Sequence, residues 1–131
     1  MKFKGNNVLG KIIEERRISK IQELMYKKEE NYNEIFTRLS KLSRQSRKDF
    51  IIKYLLNDYK LSEKTIDYIA SMSFDERLEY MSLPRIQSAY FEKIISGLSE
   101  EQLEKTLDTV GLNQKNVGII LERMPEEQRI K

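Results

Sequence analysis

The sequence predicts an all-α protein, and three observations support that fold class. Helix-forming Lys, Glu, Leu and Ile are abundant among the 131 residues, whereas there are only five Gly and two Pro. No Gly or Pro lies between Gly10 and Pro84. In the C-terminal half, an apolar residue is repeatedly followed by a residue type that starts helices, at Leu61-Ser62, Met72-Ser73, Leu83-Pro84, Leu98-Ser99, Leu112-Asn113 and Met124-Pro125. We expect one domain over residues 1–131, with a long amphipathic N-terminal helix region packed on an array of short helices.

The N-terminal helix region covers about residues 7–44. Asn6 or Asn7 is predicted to cap its first helix, whose apolar face contains Val8, Leu9, Ile12 and Ile13. A regular stripe of alternating three- and four-residue steps follows, interrupted only by Lys28, and its members are Ile18, Ile21, Met25, Tyr32, Ile35, Leu39 and Leu42. This stripe is typical of a coiled-coil homodimer. Packing within its own domain is favoured over self-association, because Leu24 and Phe36 widen the stripe and a wide stripe suits contact with several neighbours.

Residues 45–131 are predicted to form the compact array. The most apolar segment runs from Phe50 to Tyr59 and is expected to be a buried central helix. Beyond it, residues 69–77 recur as residues 95–103 and again as residues 121–129, each 26 residues further on. Helical hairpins at a fixed period bury their apolar faces against one another, as in solenoid repeats.

Residues 61–131 resemble a known family at these junctions. An apolar residue, a Ser or Pro and two acidic residues, as in Leu98-Ser99-Glu100-Glu101 and Met124-Pro125-Glu126-Glu127, join short helices. This pattern resembles the helical superhelix in the N-terminal cytosolic domain of bacterial magnesium transporters and the related repeats of flagellar motor-switch middle domains. The resemblance implies an all-helical superhelix used for protein contacts or regulation.

A second resemblance concerns DNA. Residues 60–69, preceded by the apolar positions Leu55, Leu56 and Tyr59, resemble the turn and second helix of a helix-turn-helix within residues 51–69. In that arrangement Ser62, Lys64 and Thr65 would meet DNA. Just upstream lies a basic strip whose spacing keeps most of its cations near one helix face, and its members are Arg38, Lys41, Arg44, Arg47 and Lys48.

The residues available for catalysis and for metal binding are few. There is no His and no Cys, and the glycines are too scattered for a phosphate-binding loop. The acidic pairs Asp75-Glu76, Glu100-Glu101 and Glu126-Glu127 are explained by favourable placement at helix N-termini. We therefore expect no enzyme activity, no cofactor and no metal. No apolar run approaches the length of a membrane span, so we expect a cytoplasmic chain that does not insert into a membrane.

The charge is divided along the chain. Residues 1–60 contain 15 Lys and Arg against 8 Asp and Glu, a net charge of +7, whereas residues 61–131 contain 9 against 13, a net charge of −4. Together with the helical pattern, this asymmetry indicates a protein-interaction or adaptor module with a protein partner, or a homodimer formed through the stripe. The alternative is a small nucleic-acid-binding regulator that uses the basic strip and residues 51–69.

Overall fold

The computed structural model describes residues 4–27, 31–58, 60–84, 86, 88–109 and 111–124. These residues form eight α-helices, one π-helical turn and no strand, which confirms the all-α class. The elements are α1 (Lys4–Met25), α2 (Tyr32–Leu39), α3 (Arg44–Phe50), the π turn (Ile51–Leu55), α4 (Ser62–Ala70), α5 (Phe74–Met81), α6 (Ser88–Ile94), α7 (Glu100–Thr109) and α8 (Gln114–Arg123).

The chain is organised as two compact units, Met1–Ser62 and Glu63–Lys131. The boundary between the units lies after Ser62, two residues beyond the boundary used for the charge count. Leu61 and Ser62 are uncharged, so the counts for the two units are the same. The first unit therefore has a net charge of +7 and the second a net charge of −4. A single domain over 1–131, divided near residue 45, stays a prediction.

The N-terminal helix region consists of two helices rather than one. α1 ends at Met25 and is followed by a turn at Tyr26, and α2 packs against α1. The Oε1 atom of Glu14 accepts a hydrogen bond from the N–H of Ser43 at 2.8 Å, and a guanidinium nitrogen of Arg17 donates to the carbonyl of Lys41 at 3.1 Å. The chain that follows α2 is thereby held against the middle of α1.

α3 continues directly into the π turn. Ser43 caps α3 by accepting the N–H of Ser46, and the N–H of Leu56 donates to the carbonyl of Ile51, five residues earlier, at 2.9 Å. Phe50, Ile51 and Leu55 are buried, but Lys53 is exposed. The predicted central helix is therefore buried on one side and not all round.

Helix starts in the second unit keep the predicted 26-residue period. α4, α6 and α8 begin at residues 62, 88 and 114, and α5 and α7 begin at residues 74 and 100. α6 packs against α5 and α8, and α7 packs against α8. The first two copies of the predicted repeat each contain the junction between two helices, α4 with α5 and α6 with α7, whereas residues 125–129 of the third copy lie outside the described residues. The packing of each copy as a helical hairpin stays a prediction.

Three of the predicted helix caps are confirmed. Ser73, Ser99 and Asn113 each accept the N–H three residues on, and the N–H of Ser99 in turn donates to Oε1 of Gln102 at 3.0 Å. Pro84 is wrong as a helix start, because α6 begins four residues later, at Ser88. Asn6 and Asn7 are also wrong, because α1 already begins at Lys4.

Arg77 joins three chain segments within the second unit. Its Nε donates to the carbonyl of Met72 at 2.9 Å, and one terminal nitrogen donates to the carbonyls of Ile94 and Ser96, both at 3.0 Å. Carbonyls at helix ends lack partners within the helix, so the guanidinium satisfies groups that follow α4 and end α6. Partial burial lowers the pKa of Arg77 from its ordinary value, although the group stays charged.

We expect Ile21→Lys and Ile35→Lys each to destabilise the chain by about 3 kcal/mol or more, because each places an unpaired ammonium in a buried position. Ile12→Lys, on an exposed part of α1, is the control and should change stability by less than about 0.5 kcal/mol. Urea unfolding followed by circular dichroism measures the difference. A fully folded Ile21→Lys monomer obtained from a wild-type dimer would instead place the stripe at a subunit interface.

We expect Arg77→Met to cost about 2 kcal/mol, because it removes three hydrogen bonds from a charged donor and leaves their carbonyls to solvent. Arg77→Lys should recover only part of that loss, since an ammonium cannot reproduce the geometry of the guanidinium. Arg123→Met, which truncates an exposed side chain of α8, is the matched control. Thermal midpoints equal to that of the wild type in all three variants would show that the hydrogen bonds of Arg77 contribute nothing to stability.

Candidate interaction surfaces

The stripe predicted for self-association is largely internal to one chain. Four of its seven members are buried, namely Ile21, Ile35, Leu39 and Leu42, and the other three are half-buried, namely Ile18, Met25 and Tyr32. Because α1 packs on α2 and carries part of this stripe, the buried members belong to the core of the first unit. No second copy is needed to cover them.

A different apolar surface is exposed on the N-terminal half of α1. The exposed α1 face consists of Val8, Leu9, Ile12 and Ile13, whose exposed fractions are 59%, 56%, 42% and 41%. Every residue from Val8 to Ile13 is exposed. The sequence identifies these four residues as the apolar face of the first helix, but only the structure shows that the described residues leave it uncovered.

Helix geometry explains why the exposed α1 face lacks a neighbour among the residues that the structure describes. At about 100° per residue, its centre lies about 120° around the helix axis from the centre of the buried pair Ile21 and Leu24. In addition, the bond from Ser43 is accepted by Glu14, which follows the exposed α1 face in the chain. The exposed α1 face therefore lies on another side of the helix and beyond that contact.

The exposed α1 face continues into a charged groove. A shallow groove of about 470 Å³ runs along α1 and is lined by Ile12, Glu15, Arg16, Ser19, Lys20 and Glu23. Lys20 is paired with Glu23 at 3.5 Å, whereas the Arg16 side chain is exposed at the end of the apolar patch. The apolar residues thus have cations beside them, with Lys11 on one flank and Arg16 one turn further on.

The basic strip lies within the first unit and is partly engaged by its own chain. Arg38 pairs with Glu34 at 3.2 Å, and Arg47 donates to the carbonyl of Leu42 at 3.3 Å. Lys41 and Arg44 are exposed, and Lys48 is half-buried. Arg17 of α1 also reaches this surface through its bond to the carbonyl of Lys41, a neighbour that the sequence analysis did not identify.

Two of the three predicted DNA-contact residues in the helix-turn-helix segment differ in exposure. Lys64 is exposed on α4, but Thr65 is fully buried, so its side chain cannot meet a nucleic acid and the prediction for Thr65 is wrong. The threonine lies on the same side of α4 as Ile66 and Ile69, which are also buried. Sequence spacing alone does not distinguish a buried hydroxyl from an exposed one.

Exposed carboxylates accompany Lys64 on α4. Glu63 and Asp67 both pair with Lys93 of α6, at 3.3 and 3.5 Å. The hydrogen bond that Lys93 donates to Glu63, more than the neighbouring charge of Asp67, raises the pKa of Lys93. Two carboxylates sharing one cation leave this surface without the positive excess that phosphate contacts need.

Comparisons with known proteins identify no relative. No family model, no curated protein and no solved structure matches the chain. The described residues hold no group of three or more acidic side chains placed to bind a metal ion. Within the same part of the chain, no helix is both long enough and apolar enough to cross a membrane.

Proposed function

We propose that this chain is a non-enzymatic protein-interaction module that docks the N-terminal half of α1 into an apolar, acid-rimmed groove on a partner protein. The exposed α1 face carries the proposal, because four large apolar side chains at helical spacing are the usual anchors of a helix that binds in a groove. Covering an apolar side chain that is otherwise exposed to water lowers the free energy of the complex.

Charge favours an acidic partner over a second copy. The first unit has a net charge of +7, and Lys11 and Arg16 accompany the exposed α1 face. Pairing two copies through the same face would bring two units of +7 together, which costs free energy at ordinary ionic strength. Carboxylates around an apolar groove would instead attract both cations and speed association.

A photo-crosslinking amino acid placed at position 12 tests the proposal in cells. We expect adducts with a protein whose crosslinked peptide maps to an apolar groove with Asp or Glu at its edge. The same amino acid at position 123, on the second unit, is the control and should give none of these adducts. Adducts with a second copy of the chain would overturn the choice of partner.

Binding of the captured protein, once purified, must then depend on the exposed α1 face. Leu9→Glu and Ile13→Glu should each weaken binding at least tenfold without changing the thermal midpoint, because both positions are exposed in the free chain. Arg16→Glu should slow association and weaken its salt dependence. Unchanged affinity in all three variants, or binding of phosphatidylserine vesicles that the same variants abolish, would contradict the proposal.

The second candidate function is nucleic-acid binding by the first unit. Its support is the placement of Arg17 next to the basic strip, in a unit with a net charge of +7. Each phosphate contact releases counterions, so affinity would fall steeply as salt rises.

Arg44→Glu with Lys48→Glu should weaken binding to all sequences alike and flatten the salt dependence by about one unit per lost contact. Lys64→Glu on the second unit is the comparison and should have a smaller effect, because Glu63 and Asp67 already offset its charge. Filter binding with duplex DNA and with RNA measures both. No binding at about 50 mM salt would exclude this function.

A further inference from the structure

The groove on α1 next to the exposed α1 face has the geometry of a helix-packing site. Its six lining residues, which we call the α1 groove, form two overlapping sets at positions i, i+3, i+4 and i+7. The first set is Ile12, Glu15, Arg16 and Ser19, and the second is Arg16, Ser19, Lys20 and Glu23. Four residues at this spacing form the hole that receives one side chain of a second helix. The α1 groove therefore offers two successive holes.

Ser19 keeps both holes open, because it belongs to both sets and has a short, exposed side chain. The holes begin four residues apart, about 6 Å along the helix axis, and side chains four residues apart on a second helix have the same separation. At about 100° per residue, the centre of the α1 groove lies within about 20° of the centre of the exposed α1 face around the axis. One helix can therefore cover both, from Val8 to Glu23.

Arg16 indicates which charge the covering helix carries. Its guanidinium is exposed and forms no hydrogen bond or ion pair with the other described residues, whereas Lys20 and Glu23 are paired at 3.5 Å. The cause is local, since the residues three and four positions from Arg16 on α1 are Ile12, Ile13, Ser19 and Lys20, none of them acidic. A carboxylate of the covering helix would pair with this guanidinium through two hydrogen bonds. Glu15, on one flank, would meet a cation of the same helix.

We propose that the partner covers α1 with one amphipathic helix, which inserts a side chain into each hole of the α1 groove and pairs a carboxylate with Arg16. It rests on the proposed function, because this helix forms one wall of the partner's apolar, acid-rimmed groove. The apolar part of the helix lies on the exposed α1 face and supplies affinity. The carboxylate fixes the register and the direction in which the helix lies along α1.

Crosslinks from two positions test for the helix. The photo-crosslinking amino acid is placed at position 12 or at position 19, and the partner residues that each captures are mapped by mass spectrometry. The two positions are seven residues, about 10.5 Å, apart on α1. A covering helix predicts captured residues about seven apart in one segment of the partner, whereas a strand predicts about three. Position 123 is again the control.

Variants of the α1 groove test the two kinds of contact with the purified partner. Ser19→Tyr should weaken binding at least tenfold, because its ring fills both holes, whereas Ser19→Ala leaves them open and should change affinity less than twofold. Ser19 is exposed, so neither variant should alter the thermal midpoint. Glu122→Tyr, at an exposed position of the second unit, is the control for an added aromatic ring.

Charge reversal tests the pairing of Arg16. Arg16→Glu should weaken binding at least fivefold. Replacing by Lys the partner's Asp or Glu that lies between the two captured residues should restore affinity to within about twofold of the wild-type pair. No restoration by any such Lys would overturn the assignment of Arg16.

The outcomes separate this inference from the proposed function. Capture of the partner from position 12 but not from position 19, captured residues about three apart, or unchanged affinity of Ser19→Tyr would each overturn the covering helix and leave the docking of α1 standing. Absence of capture from position 12 would overturn the docking itself, and the covering helix with it.

Discussion

The side-chain hydrogen bond at the start of α5, α7 and α8 is the interaction on which the second unit depends. Isolated helices shorter than about 12 residues are marginal in water, and α4 to α8 contain between 7 and 10 residues each. Ser73, Ser99 and Asn113 meet the requirement of a first-turn N–H and fix where each of their helices begins. The starts of α4, α6 and α8 keep a constant period, as do those of α5 and α7, and α6 packs on α8.

Side chains that bond from one helix to another add to the stabilisation that the caps provide. Arg77 satisfies the carbonyl of Met72 between α4 and α5 and that of Ile94 at the end of α6, and Lys93 links α6 to two carboxylates of α4. A related arrangement occurs in the first unit, where Arg47, four residues after the cap Ser43, donates to the carbonyl of Leu42 just as Arg77 after Ser73 donates to that of Met72. A cap followed by arginine four residues later is thus a local device used in both units.

Two places depart from this agreement between sequence pattern and environment. The exposed α1 face is apolar in water, and the buried Oδ1 atom of Asn116 has no hydrogen-bond partner among the described residues. Each costs free energy in the isolated chain. Departures of this kind are expected at functional sites, and the proposed interaction is built on the first of them.

The sequence by itself determined the helical class, the three confirmed caps, the repeat period and the division of charge, because these depend on local hydrogen bonding and on composition. It did not determine which apolar faces are covered, because helical spacing is the same for Ile12 and Ile21 although one is exposed and the other buried. Likewise it placed Thr65 in a contact and said nothing of Asn116, since burial of a polar group depends on the neighbouring helices. Tertiary packing alone decided which side of each helix meets another.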